Sequence, residues 1–319
     1  MITKAFILGA GLGTRLRPLT TQVPKPLVLL FHRPMMEYAL DRALDLGLKD
    51  IAINTHHLSH KWQERFPQKL SQVHMGLNGI ASWSSTYQQA SLSFFQENEL
   101  LETGGGIRNL TNWIGEDDVL IYNGDIYCSI PLEPLVSLHN EGNYEATLLL
   151  RSEGPAQVIA IDGEKVVDIH GKVDGVEGTH QFTGIYAVSS KILERIEPNN
   201  KESIVKTFLE LAAEGKLGAV TVDEGEWFDL GTREMYLEAH RSDTMRPESA
   251  QEVAESVVIG EGSQISDSWV SDRVEVGENV TIEGSVIWEG VKIGAGAVIR
   301  DSIVFSDVSE EACIESQDC

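Results

Sequence analysis

Cysteine is scarce in this chain. Cys128, Cys313 and Cys319 are an odd set with no Cys-x-x-Cys pair. That excludes a disulfide framework and offers no zinc spacing, so a reducing, cytoplasmic setting is expected. Positive charge is also short: 25 Lys and Arg stand against 49 Asp and Glu, a net charge of −24. A surface of that sign repels DNA, RNA and anionic lipid, which excludes nucleic acid and a polybasic membrane role. Long apolar runs are missing too. The run Met1–Leu8 soon meets glycines and arginines, too early for a membrane span, and it lacks a small-residue cleavage site. What remains, 42% hydrophobic and 23% charged in 319 residues, is an ordinary globular balance with room for about two domains.

The acidic excess is unevenly placed. Residues 244–319 carry four basic and sixteen acidic side chains, net −12, which leaves 21 and 33, another −12, in the first 243. This shift marks a boundary, so we expect a domain over 1–243, a linker over 244–252 and a second domain over 253–319. The second domain repeats every 17 residues. Ile259, Val276 and Ile293 are each followed by glycine, Ile265, Ile282 and Ile299 keep the interval, and so do Val257, Val274, Val291 and Val308. Val270, Ile287 and Val304 form a further column, and Ser268, Ser285 and Ser302 fall in register. Branched apolar residues at a fixed period with corner glycines indicate stacked β-coils. The spacing resembles the left-handed parallel β-helix of hexapeptide-repeat proteins, shortened to about three turns. So short a coil has open ends, so it is expected to lean on the first domain or on a second subunit, and a homo-oligomer is expected.

The first domain alternates strand-like and helix-like segments. Strands are expected at Lys4–Leu8, Asp50–Asn54, Val119–Tyr122, Ala146–Leu150 and Gln181–Val188. Helices are expected at Met35–Leu46, stopped by Gly47, and at Ser203–Glu214, stopped by Gly215. The pattern predicts an α/β domain with a mostly parallel sheet, whose ligands sit beyond the carboxyl ends of the strands. Two clusters stand there: Gly9-Ala10-Gly11-Leu12-Gly13-Thr14-Arg15 and Asn123-Gly124-Asp125. Close-set glycines let backbone N–H groups approach a phosphate. The spacing is not the dinucleotide fingerprint, and Asn54 stands where a ribose-reading acid would end the second strand. No Gly-Lys-[Ser/Thr] closes the loop, so it is not a Walker A loop. It continues into Arg17-Pro18-Leu19-Thr20 and Pro24-Lys25-Pro26-Leu27, where flanking prolines keep Lys25 out of a helix and suit it to clamp a polyphosphate.

At these residues the chain resembles the nucleotide-sugar pyrophosphorylases, the sugar-1-phosphate nucleotidyltransferases. Asn123-Gly124-Asp125, Phe182-Thr183-Gly184-Ile185-Tyr186 and Trp227-Phe228-Asp229-Leu230-Gly231-Thr232 are similar to further motifs of that family. The run Leu101-Glu102-Thr103-Gly104-Gly105-Gly106-Ile107 looks most like the N-acetylmuramate-1-phosphate uridylyltransferases and the mannose- or heptose-1-phosphate guanylyltransferases. The resemblance implies a Rossmann-like domain that joins an NTP, GTP or UTP, to a sugar 1-phosphate and releases pyrophosphate. It implies Arg15, Lys25 and Asp125 as catalytic residues and Mg²⁺ held by Asp125 and Asp229. Nucleotide contacts are implied for Leu8, Ala10, Gly11, Gly13, Thr14, Arg15, Lys25, Glu102, Thr103, Gly105 and Asn123. Sugar-phosphate contacts are implied for Asn123, Thr183 and Gly184.

One family element is missing. No Glu-Lys-Pro tripeptide supplies a lysine for the sugar phosphate; Glu164-Lys165 reads as a hairpin turn, which leaves Lys172 or Arg151 as replacements. Asp229 has a second reading as a helix N-cap before Arg233. His56, His57 and His60 read as a helix start and not a metal site, and the six tryptophans as packing. Residues 244–319 contain no histidine, which excludes an acyltransferase site in the coil. A silent nucleotide-sugar-binding relative is the alternative to an enzyme, and it would be free to lose one of Arg15, Lys25, Asp125 and Asp229; all four are present. Removing residues 250–319 is expected to alter assembly or stability more than chemistry.

Overall fold

A computed structural model describes residues 1–69, 76–77, 82–247 and 250–319; positions 248 and 249 of the expected linker lie outside the described residues. The chain forms two compact units. One comprises Met1–Leu12 and Met36–Trp227, the other Gly13–Met35 and Phe228–Cys319. This division does not coincide with the compositional step at 243/244, because the segment 228–243 packs with the coil. Among the described residues, no helix is long and apolar enough to cross a membrane.

The first unit is built on a ten-stranded sheet. Its strands are β1 (Ile2–Leu8), β2 (Asp50–Thr55), β3 (Ser82–Tyr87), β4 (Ala90–Gln96), β5 (Asp118–Asn123), β6 (Ala146–Arg151), β7 (Gln157–Asp162), β8 (Lys165–Ile169), β9 (His180–Val188) and β10 (Leu217–Thr221). They lie in the order β7-β8-β10-β6-β9-β5-β1-β2-β4-β3. Strands β5, β1, β2 and β4 are mutually parallel, as are β6 and β10. Strand β9 runs antiparallel between β5 and β6, so the strands on either side of it share one direction. The five expected strands are all present and longer by one or two residues.

Central strands are covered on both faces, so they read as continuous apolar runs. Phe6, Ile7, Val119 and Ile121 are fully buried. Register aligns Leu8 with Asn54 on one side and Asn123 on the other, so the carboxyl ends of β1, β2 and β5 finish at one level. The expected hairpin at Glu164-Lys165 is present: Asp162 pairs with Lys165, and Gly163 takes φ +60°, which a side chain would resist. Helix Ile204–Ala213 starts at Ser203, whose hydroxyl accepts from Val205 N at 3.3 Å, and Gly215 follows its end at φ +69°.

The second unit contains a short hairpin, Leu29–Leu30 with Arg33–Pro34, the helix Arg233–Arg241 and the coil. The coil has three parallel sheets. Val276 pairs with Ile259 and Ile293, Ile282 with Ile265 and Ile299, and Ile287 with Val270 and Val304. Each pairing is the 17-residue interval. The last coil is two residues shorter, since Ile299 pairs with Ile314. This corrects one column: Val308 pairs with Ile293, and so stacks in the Val276–Ile293 column and not above Val291.

Corner chemistry explains the repeat. Buried Ser268, Ser285 and Ser302 accept the backbone N–H of Ser285, Ser302 and Gln317 at 3.0, 3.0 and 3.2 Å, so each hydroxyl bolts one coil to the next. Gly260, Gly277 and Gly294 stack backbone on backbone. A Cβ at Gly260 would lie 2.5 Å from Gly277, and one at Gly294 would lie 2.4 Å from Glu310 N. The glycines are there for close approach between coils.

Candidate active site

In the first unit, the end of β1 is held by polar groups from neighbouring strands. Gly9 N donates to Asn54 Oδ1 at 2.8 Å, and Gly124 N donates to Leu8 O at 3.0 Å. A Cβ on Gly9 would lie 2.7 Å from Asn54 O and 2.8 Å from the Trp62 ring, so only glycine fits. Around Gly11, by contrast, a Cβ would meet nothing within 4 Å. Gly11 is exposed and leaves its backbone open on the outer side, as a phosphate cradle requires. Ala10 is buried, and Leu8 partly so.

Sequence reasoning missed a buried residue behind this loop. Glu97, 1% exposed, accepts from Asn54 Nδ2 at 2.7 Å and from Leu101 N at 3.0 Å. Burial holds its carboxyl above the usual range, against the pull of those two hydrogen bonds. The chain Gly9–Asn54–Glu97–Leu101 ties the glycine loop to the start of helix Glu102–Asn109. A carboxylate two residues after the apolar pair Phe94-Phe95 was the available signal.

The glycine run lies inside that helix, and its role needs correction. Gly104 N and Gly105 N both donate to Glu202 O, at 2.8 and 3.0 Å, and Thr103 Oγ1 accepts from Ile204 N at 2.9 Å. A Cβ on Gly105 would lie 2.3 Å from Asn200 O. Gly105 is therefore buried against Asn200–Glu202, its N–H is consumed, and neither is open to a base. Thr103 stays half-buried and Glu102 exposed. Gly105→Ala is expected to lower stability by about 1–3 kcal/mol through overpacking, read as a shift in the urea midpoint.

Thr183, expected at the sugar phosphate, is packed into the protein. It is fully buried, its hydroxyl donates to Leu149 O at 2.8 Å, and its carbonyl accepts from Trp227 Nε1 at 2.8 Å. The side chain is committed to hydrogen bonds within the sheet. Gly184 takes φ +77°, and a Cβ there would lie 2.6 Å from Asn123 Nδ2. Asn123 and Asp125 follow at the partly exposed end of β5. Arg151 donates to Gly225 O and Asp223 O at 2.8 and 3.3 Å, which commits it to a neighbouring loop. Lys172 is exposed in the connection between β8 and β9, next to Gly171 and Val173, whose N–H groups the buried Asp168 carboxylate accepts at 2.7 and 2.8 Å. No contact among the described residues links Lys172 to Asn123 or Gly184. His56 Nδ1 lies 2.9 Å from Glu97 O, just before helix Ser59–Arg65, in keeping with the helix-start reading.

The second unit carries the cations. Gly13 takes φ +59°, and its carbonyl accepts from Thr20 Oγ1 at 2.8 Å and Leu16 N at 3.0 Å. A Cβ there would lie 2.9 Å from both Lys25 Cβ and Thr20 Cγ2. Thr14–Leu16 then forms one 3₁₀ turn and exposes Thr14 and Arg15. Lys25 opens another 3₁₀ turn, Lys25–Leu27, and its side chain is only 5% exposed. Lys25 Nζ lies 3.4 Å from Asp229 Oδ1, and Arg15 Nη2 lies 3.6 Å from Asp229 Oδ2. A Cβ on Gly231 would lie 2.7 Å from that guanidinium. Asp229 is not the helix cap: Thr232 is, its hydroxyl accepting from Met235 N at 3.3 Å. Residues 15, 25 and 229, far apart in sequence, thus form one cluster.

Comparison with known proteins gives the family of the chain. Residues 4–246 match the family described as nucleotidyl transferase, and residues 239–314 match the GlmU-like C-terminal hexapeptide. A mannose-1-phosphate guanyltransferase of Gibberella zeae is 28% identical over 246 residues, covering 73% of this chain and 62% of that protein. A UTP–glucose-1-phosphate uridylyltransferase of Synechocystis is 26% identical over 250 residues, covering 75% and 62%. The chain thus spans 62% of the length of these two relatives. In fold it is similar to a UDP-glucose pyrophosphorylase from Acinetobacter baumanii, with TM-score 0.60 and 20% identity, covering 75% of this chain and 92% of that one. With three quarters of its length inside the matched region, the chain belongs to the nucleotidyl transferase family and carries a hexapeptide coil as its second part.

Proposed function

We propose that this chain transfers a nucleotidyl group from an NTP, GTP or UTP, to a sugar 1-phosphate. A phosphate oxygen of the sugar 1-phosphate attacks the α-phosphorus, the bond to the β-phosphate bridge breaks, and pyrophosphate leaves. The observation that carries this reading is the cluster of Arg15 and buried Lys25 on Asp229, directly after a glycine loop with open backbone at Gly11. The attacking phosphate has a second pKa of about 6, so it is ionised at neutral pH and no general base is required. The task is to bring anions together, which calls for positioning and positive charge.

Asp125 and Asp229 are the residues we assign to Mg²⁺. Among the described residues there is no cluster of three or more His, Cys, Asp or Glu side chains. A Mg²⁺ site does not need one, since the ion takes one or two carboxylates and fills its shell with water and phosphate oxygen. The donors are oxygen only, which fits. When bound, the ion would neutralise phosphate charge. The chain's own part is to present Lys25 and Arg15 to the phosphates and to hold Asn123 and Gly184 at the sugar side. Val258 and Ile259 on the first coil strand are 64% and 47% exposed, which supports self-association.

The test is a matrix of four NTPs against a panel of sugar 1-phosphates, read by pyrophosphate release with Mg²⁺. Release is expected for GTP or UTP with one sugar. Nucleotide binding without release from any pair would favour a silent relative.

A further inference from the structure

The segment that carries Lys25 ends in an unusual turn. Phe31 and His32 join Leu29–Leu30 to Arg33–Pro34 with φ +50° and +65°. Two residues with bulky side chains in the left-handed region are strained and persist only where surroundings hold them. Here the surroundings belong to the coil and to the helix after Asp229. The Phe31 ring meets Trp269 edge-on at 4.8 Å and His240 at 5.3 Å, and the His32 ring lies 5.2 Å from Trp269. His32 Nε2 is 2.8 Å from Gln251 O. Tyr236 Oη donates to Leu29 O at 2.5 Å, and Trp269 Nε1 donates to His240 O at 2.6 Å. Phe31, Tyr236, His240 and Trp269 are all buried.

Both members of the ion pair lead into this cluster. From Lys25, its carbonyl accepts from Val28 N and the Val28 carbonyl from Met35 N, each at 3.0 Å, so the turn and hairpin are tied together. From Asp229, Gly231 and Thr232 lead into helix Arg233–Arg241, which carries Tyr236 and His240. Trp269 closes the cluster from the first coil. We propose that Trp269 is a positioning residue for Lys25: it holds the Phe31–His32 turn against the helix and so fixes the ammonium on Asp229. The coil then contributes to chemistry, contrary to the expectation that its removal would alter assembly or stability more than chemistry. The kinetic part of this inference rests on the proposed transferase reading.

The test uses the full-length protein with Trp269→Ala, Trp269→Phe and Phe31→Asn. Asn tolerates the left-handed conformation, so the last variant keeps the turn and removes the ring. Two quantities are read. One is acylation of Lys25 by an amine-reactive ester, followed by peptide mass spectrometry, with Lys206, 60% exposed, as internal reference. The other is pyrophosphate release. We expect Trp269→Ala and Phe31→Asn to raise Lys25 labelling about tenfold relative to Lys206 and to lower kcat about tenfold or more, as small misplacements do. Trp269→Phe, which keeps an aromatic ring, should restore most of both. Folded Phe31→Asn with wild-type labelling and kcat overturns the proposal, even if Trp269→Ala fails to fold. Labelling that responds while the wild type releases no pyrophosphate from any pair supports the positioning and fails the transferase reading.

Discussion

Lys25→Ala is expected to lower kcat/KM for pyrophosphate release by about 10²–10³-fold, the range seen when one preorganised charge donor is lost. The lysine side chain is 5% exposed, so its ammonium acts where water screens it poorly. Gly13 and Thr20 pack against the same segment, so its backbone should hold after truncation. Asp229 is 35% exposed and keeps Arg15 at 3.6 Å, so it is not stranded without water or a partner, and the variant should remain folded. Lys25→Arg should not restore activity, because a planar fork does not fit a site packed around a linear stem. Steady-state kinetics with a melting curve checks both statements. An unchanged kcat/KM in a folded Lys25→Ala protein would remove this residue from the clamp.

Asp229→Asn should abolish turnover with Mg²⁺, a loss of about 10³-fold or more. Asparagine keeps the shape and can still accept a hydrogen bond from Lys25, so the cluster survives as geometry while its negative charge is gone. Asp125→Asn tests the other carboxylate in the same way. A ligand role and a merely structural role separate in the Mg²⁺ titration. Loss of a ligand raises the metal concentration needed for half-maximal rate, whereas loss of packing lowers the rate at every concentration. Near-normal activity in both variants would sink the metal assignment.

Local pattern carried much of this fold. Apolar runs located β1, β2, β5, β6 and β9, and Ser203 and Gly215 bracketed a helix as their cap chemistry predicts. The 17-residue interval reappeared as strand register, because stacked coils must place like residue on like residue. It failed at Val308, where the final coil shortens and a column counted in sequence no longer equals a column in space. The candidate site was legible where it is local, in the glycine loop and around Lys25. Asp229 joins Lys25 across 204 positions, a contact that no local pattern announces. The burial of Gly105 and Thr183 was not legible, because a glycine or threonine in a motif looks the same whether it faces solvent or protein. Glu97 and the Phe31–His32 turn were missed for a related reason. One depends on partners far away in sequence, and the other lacks the Gly or Asn that usually signals such a turn.

The most direct test of the central claim is to follow the α-phosphorus. Wild-type protein is incubated with Mg²⁺, a sugar 1-phosphate and GTP or UTP labelled at that atom. The account predicts that the label appears in a nucleotide-sugar in equal amount to the pyrophosphate released, and that neither forms with Lys25→Ala at comparable rate. Label that stays in the triphosphate for every sugar, with nucleotide bound, would contradict it.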